Sequence, residues 1–207
     1  MVNDFGFDLN IDSVTKSEKF SEGISETGAY VGMFDQVYRL VSEKGSEAMV
    51  FTFKSEKGGR TNFTVWYKAS NVKNNARIES GYESINSIMA SIGIRSIKGY
   101  EGVVSVYDKG MKVEKDLIVY PDLCDKDVGV VLQKELFTKN NGEDGYRFNF
   151  ILSFDAKTRQ TASEKVCKSS EAKKLEKVLA TLKDKDNRTV KITNNNSVTE
   201  ILDDVPF

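Results

Sequence analysis

The sequence predicts a mainly β protein with two helices, of the α+β class. Three observations point there. Apolar and aromatic residues alternate with polar ones in several short runs, as half-buried strands require. Polar clusters containing glycine separate many of these runs. Two other stretches instead repeat their apolar residues every three or four positions, the helical period.

Residues 1–27 are polar, acidic and weakly periodic, and read as a lead-in. From residue 30 to 41 nearly every position is apolar or aromatic, broken by Asp35, Gln36 and Arg39. That pattern suits a long, curved strand buried on both faces. Residues 48–53 make a second strand, with Phe51 and Phe53 on one face and Thr52 and Lys54 on the other. Lys57-Gly58-Gly59-Arg60 turns the chain, because glycine takes positive φ without strain. Residues 61–68 complete an antiparallel meander.

A helix then fits 76–92, where Ile78, Tyr82, Ile85, Ile88, Met89 and Ile92 recur at helical spacing and Gly93 supplies the stop. Residues 103–107, 117–120, 128–137 and 146–154 are further strands. In the last, strict alternation places Tyr146, Phe148, Phe150, Leu152 and Phe154 on one face. The polar residues 141–145 turn the chain before it. Ser170 caps a second helix running to about residue 183, with Leu175, Val178, Leu179 and Leu182 as its apolar stripe. Beyond residue 185 the chain becomes polar and asparagine-rich, as a tether would.

Strands, a helix after the third strand, then more strands is the order of an OB-fold, a five-stranded Greek-key barrel. The strand count exceeds five, so the expectation is an OB-fold-like antiparallel barrel with insertions. The chain divides into a lead-in (1–27), one OB-like domain (28–185), and a tether ending in an acidic tip (186–207).

At 207 residues, 39% of them hydrophobic, one domain can bury a full core. No apolar run approaches the ~20 residues that cross a bilayer. The opening Met1-Val2-Asn3-Asp4 has no basic and apolar leader pattern. Cys124 and Cys167 are far apart and in no metal-like pair, so a reducing cytoplasm is expected. Histidine is absent. Ser-His and Cys-His nucleophile pairs, histidine bases and histidine metal ligands are therefore excluded. Carboxylate-bound Mg²⁺ is not.

The net charge of −1 hides an uneven layout. Residues 1–29 carry six acidic side chains against two lysines. Residues 54–77 carry six basic against one acidic, and 157–191 eleven against five. Basic blocks in a nearly neutral chain point to a localised polyanion site.

The block at 54–77 also holds the aromatic residues that unpaired bases stack on. Phe63, Val65 and Tyr67 alternate with Asn62, Thr64, Trp66 and Lys68, so the only tryptophan falls on the polar face of its strand. Trp66 is the first stacking candidate, with Tyr67 and Tyr100 behind it. Lys54, Lys57, Arg60, Lys68, Lys73 and Arg77 are candidate phosphate contacts, and Arg147 could add one from a neighbouring strand.

The chain closes on Asp203-Asp204-Val205-Pro206-Phe207. Two carboxylates, a hydrophobe, a φ-restricting proline and an aromatic ring form an acidic hook with an apolar end, suited to a basic-rimmed pocket. The hook resembles the tip of bacterial single-stranded DNA-binding proteins, whose chains end in acidic residues followed by Ile-Pro-Phe; Val205 stands here for the isoleucine. The resemblance spans residues 202–207 only. The bacterial family's N-terminal strand pattern and its long Gly/Gln/Pro-rich linker are absent. The body is more similar to the diverged single-stranded DNA-binding proteins of bacteriophages. That likeness rests on its β-rich character and on Asp127-Val128-Gly129-Val130-Val131-Leu132 and Phe148-Asn149-Phe150-Ile151-Leu152-Ser153-Phe154-Asp155.

The resemblance implies a non-enzymatic, cofactor-free protein that coats single-stranded DNA in the (host) cytoplasm during replication, recombination or repair. Its tip would recruit host or phage enzymes, and it could form homo-oligomers. Three other readings stay open. A metal-dependent nuclease would need paired carboxylates and a lysine, for which Pro121-Asp122 with Glu171-Ala172-Lys173 is a loose match. An adaptor or decoy would use the hook alone to occupy repair enzymes. An annealing protein would share the ligand and also pair complementary strands.

Overall fold

The computed structural model describes residues 23–70, 76–108, 111–169 and 171–188. Among them the chain forms β1 (Gly28–Val41), β2 (Glu47–Ser55), β3 (Arg60–Lys68), α1 (Glu79–Ile92), β4 (Tyr100–Asp108) and β5 (Met111–Val119). A 3-10 turn at Pro121–Leu123 leads into β6 (Asp127–Thr138) and β7 (Asp144–Phe154). Two short helices, α2 (Ala162–Val166) and α3 (Lys174–Thr181), precede β8 (Lys185–Asn187). No helix among the described residues is long and apolar enough to cross a membrane.

β1 organises the sheet. One edge carries β2 from Gly32 to Val41, and β2 carries β3, giving the expected meander. The other edge is shared. Its first half, Gly28 to Met33, pairs antiparallel with β6, while Tyr38 pairs with Val119 of β5. The division falls where the β1–β2 register shifts between Phe34 and Gln36, leaving Asp35 as an extra residue. Such a bulge bends a strand and raises its twist, which lets one strand serve two neighbours. β4 and β5 form a nine-pair hairpin that stands outside the meander.

The main core fills the inside of the curled sheet. Phe34, Phe51, Phe53, Phe63, Val128 and Leu132 meet there, with Ile85 and Ile88 of α1 closing one side. The Phe63 ring stacks on Phe51 at 5.0 Å and on Phe150 of β7 at 5.2 Å. β3 and β7 thus meet through side chains, but no ladder joins them among the described residues. The α+β class holds, and the sheet is open where a closed barrel was expected.

A second core lies on the opposite face, where Val131, Phe154 and Leu175 pack with Ala29, Val31, Leu152, Leu179 and Leu182. It corrects the expected single aromatic row of β7. The β6–β7 register slips between Val131 and Leu132, leaving Ile151 as an extra residue in β7. One extra residue exchanges the two faces of a strand. Phe148 and Phe150 therefore face the main core, while Leu152 and Phe154 face α3.

α1 begins at Glu79, three residues later than expected, because Arg77 still bridges to Lys68 and Ile78 N–H donates to the Tyr67 carbonyl at 2.9 Å. It ends as expected at Gly93, in the left-handed region with φ 77°. The later helix starts at Lys174, and Ser170, its expected cap, lies outside the described residues. α2 and β8 were not foreseen. β8 adds parallel to β6, so the folded body reaches Asn187 rather than ending at residue 185. At the other end, Ile24 of the expected lead-in is buried in the main core.

Candidate nucleic-acid interface

The register aligns one continuous outer face across β1, β2 and β3. Lys54 lies opposite Arg60, Thr52 between Gln36 and Asn62, and Val50 between Tyr38 and Thr64. Ala48 lies opposite Trp66. The face runs from Lys54 and Arg60 at one end to Trp66 at the other, about 20 Å at ~3.3 Å per strand residue.

The β4–β5 hairpin stands over this face. Between them lies an open cleft of about 970 Å³. Tyr38, Leu40, Val50, Asn62 and Thr64 line the strand side; Val106, Lys115 and Leu117 line the hairpin side. Glu101 and Asp116 give the hairpin side a mixed charge. Burial raises the Tyr38 pKa and the nearby Lys115 ammonium opposes that rise.

Trp66 is 40% exposed and sits at the end of this face, as its strand parity predicts. It borders a hollow of about 520 Å³ shared with Ser42, Glu43, Lys44, Ser46 and Ile78. The helix that follows grips β3 by its backbone. A Cβ added at Gly81 would stand 1.9 Å from the Trp66 carbonyl oxygen. The helix therefore approaches the strand closely and leaves the indole uncovered.

Tyr67, expected as a second stacking surface, points to the opposite side. Its hydroxyl donates to Glu47 Oε2 at 3.1 Å and its ring meets Tyr82 edge-on at 5.8 Å. Burial, with the negative groups around it, raises its pKa strongly. Lys68 Nζ donates to Glu47 Oε1 at 2.6 Å, and Arg39 reaches Oε2 at 2.8 Å. The hydrogen bond from Lys68, helped by Tyr67 and Arg39, holds the Glu47 carboxyl below its usual range against the cost of burial. Tyr67 and Lys68 thus belong to a charge network at the end of the core.

Arg77 stacks 3.9 Å above the Tyr82 ring and pairs with Glu79 at 3.1 Å. Arg60 pairs with Asp35, the bulge residue of β1. Arg147 chelates Glu135 through Nε at 3.0 Å and Nη2 at 2.9 Å. Asn149 and Asn187 each donate to the same carboxylate at 2.5 Å. Hydrogen bonds from Arg147 and Asn149 lower the Glu135 pKa to about 2.

Arg60, Lys68, Arg77 and Arg147 therefore each have a carboxylate partner. Lys57 is exposed at the β2–β3 turn, and Lys54 is exposed on the outer face. Tyr100 is 50% exposed at the start of β4. Lys73 and the hook, Asp203 to Phe207, lie outside the described residues.

Sequence reasoning missed Tyr38 and Lys115, which the fold brings to the same cleft. Tyr38 is masked by the continuous apolar run around it, and Lys115 lies in a part of β5 too polar to read as a strand. Among the described residues no three His, Cys, Asp or Glu side chains cluster so as to hold a metal ion. No protein-family model matches the sequence, and no curated protein matches it.

Proposed function

We propose that this chain binds single-stranded DNA without sequence preference on the outer face of β1, β2 and β3. The observation that carries the reading is Trp66, the only tryptophan, exposed at the end of a polar strand face that the β4–β5 hairpin overhangs. Unpaired bases need flat aromatic partners, and the phosphates between them need cations. Trp66 supplies the first; Lys54, Lys57 and Arg60 at the far end supply the second.

The connectivity supports the same reading. β1, β2 and β3, a helix, then β6 returning to β1 with β7 beyond it follows the strand order of an OB-fold. In this reading β4–β5 is an inserted hairpin, and the Phe63–Phe150 stack marks the seam of a partly open barrel. Asp203 to Phe207 form the recruiting hook for replication, recombination and repair proteins, and a phage or other mobile element is the proposed origin. The role is binding rather than catalysis.

The test is a fluorescence titration with labelled oligo-dT across a range of salt. Affinity should fall linearly on a log–log plot as counterions compete. Trp66→Ala should weaken binding roughly 5- to 150-fold, the range of one lost stacking platform. No binding at low ionic strength overturns the reading.

A further inference from the structure

The Asp35 carboxylate lies at the basic end of the proposed DNA face. β1 gains one residue at its bulge, and that residue is Asp35. It pairs with Arg60 on β3, across the intervening β2, at the basic end of the proposed DNA face. Both side chains remain partly open to solvent, 33% exposed for Asp35 and 59% for Arg60. The pair is therefore accessible and exchangeable. An exposed ion pair is worth only about 0.2–1 kcal/mol, so an arriving phosphate can displace the carboxylate at small cost.

We propose that Asp35 is a built-in competitor that limits the affinity of this face for polyanions. This rests on the single-strand reading above and adds the regulation of that site. In the free protein Asp35 holds Arg60 extended over the face and cancels its charge. On binding, a phosphate takes over Arg60, and Asp35 returns to water or stays as a repelling neighbour. Either way each binding event carries the penalty of one displaced ion pair, and dissociation is correspondingly faster. A protein that coats transient single strands must also leave them, and this device serves that need.

The experiment compares the full-length wild type with Asp35→Asn and Asp35→Ser in the oligo-dT titration over several salt concentrations. Glu176→Gln is the matched control. Glu176 lies on α3, away from the DNA face, and its loss removes the same charge and frees Arg159, in the turn before α2. Melting curves establish that each variant is folded. Both Asp35 variants should bind about five-fold tighter at low salt. Their salt dependence should change little, since a phosphate meets Arg60 in the bound wild type as well. The control should match the wild type. If the wild type binds but folded Asp35 variants bind no tighter, or if the control tightens equally, the competitor role is overturned while DNA binding stands. If neither wild type nor variants bind, the single-strand reading falls and this inference with it.

Discussion

Glu135 shows what a single residue can do in this sheet. Its side chain is 3% exposed, yet it is charged, because Arg147, Asn149 and Asn187 satisfy both carboxylate oxygens. These partners come from β7 and β8, so one carboxylate ties three strands together. Its pKa of about 2 in the folded state lies below the ordinary value of 4.5. A depressed carboxyl pKa contributes stability that is present above about 4.5 and lost as the pH falls toward 2. Glu135→Gln should therefore lower stability at pH 7 by about 1–2 kcal/mol. That is less than the full shift implies, since Arg147 is 61% exposed and screened by solvent. Urea melts from pH 7 down to pH 3 test this: the gap between wild type and variant should narrow with acidification. A constant gap would show that the carboxylate's charge is not what stabilises the fold. The parity that exposes Trp66 was legible in the sequence, since alternation along one strand is a local property. The pairing of Arg147 with Glu135, or of Lys68 with Glu47, was not. Those partners meet only through strand register.

At the scale of elements, regular periodicity was read correctly and its interruptions were not. β1, β2, β3, β6, β7 and α1 all lie where alternation or helical spacing placed them. The extra residues at Asp35 and Ile151 carry no local mark, because a bulge is defined by the partner strand. Each exchanges faces, and each creates a feature the pattern could not show: the fork of β1 and the second core under α3. α2 did leave a signal. Thr161 and Glu164 form a capping box, with the Thr161 N–H donating to Glu164 Oε2 at 2.9 Å. The helix is five residues long, too short for its periodicity to register. Gly81 gives the sharpest test of element packing. In an exposed helix, alanine would be preferred over glycine by about 1 kcal/mol. Here its Cβ would press on the Trp66 carbonyl, and overpacking costs about 1–3 kcal/mol. Gly81→Ala should lower the urea midpoint and alter the Trp66 fluorescence of the native protein. A stabilised variant would mean that α1 does not hold β3 as described.

For the molecule as a whole, charge is divided between a body with basic blocks and an acidic end segment. The segment follows β8, which anchors the chain to the edge of β6. In the proposed division of labour the body binds DNA and the hook binds proteins. Deleting residues 200–207 should leave oligo-dT affinity unchanged or slightly raised. It should also abolish binding to replication and repair proteins that recognise acidic, phenylalanine-ended peptides, measured by pull-down with purified candidates. Loss of DNA affinity on deletion would refute that division.

The fork in β1 has a further consequence, for biosynthesis. On one edge β1 meets β2 within a few residues of the turn, but its other edge waits for β6, roughly a hundred residues later in the chain. At about 5–20 residues per second, a ribosome needs ~5–20 s to deliver that partner. Until then an apolar strand edge stays unpaired on the nascent polypeptide, and loop-closure entropy delays its capture further. Translation speed between residues 41 and 127, and the chaperones that shield strand edges during that interval, therefore bear on how much of this protein reaches its native state.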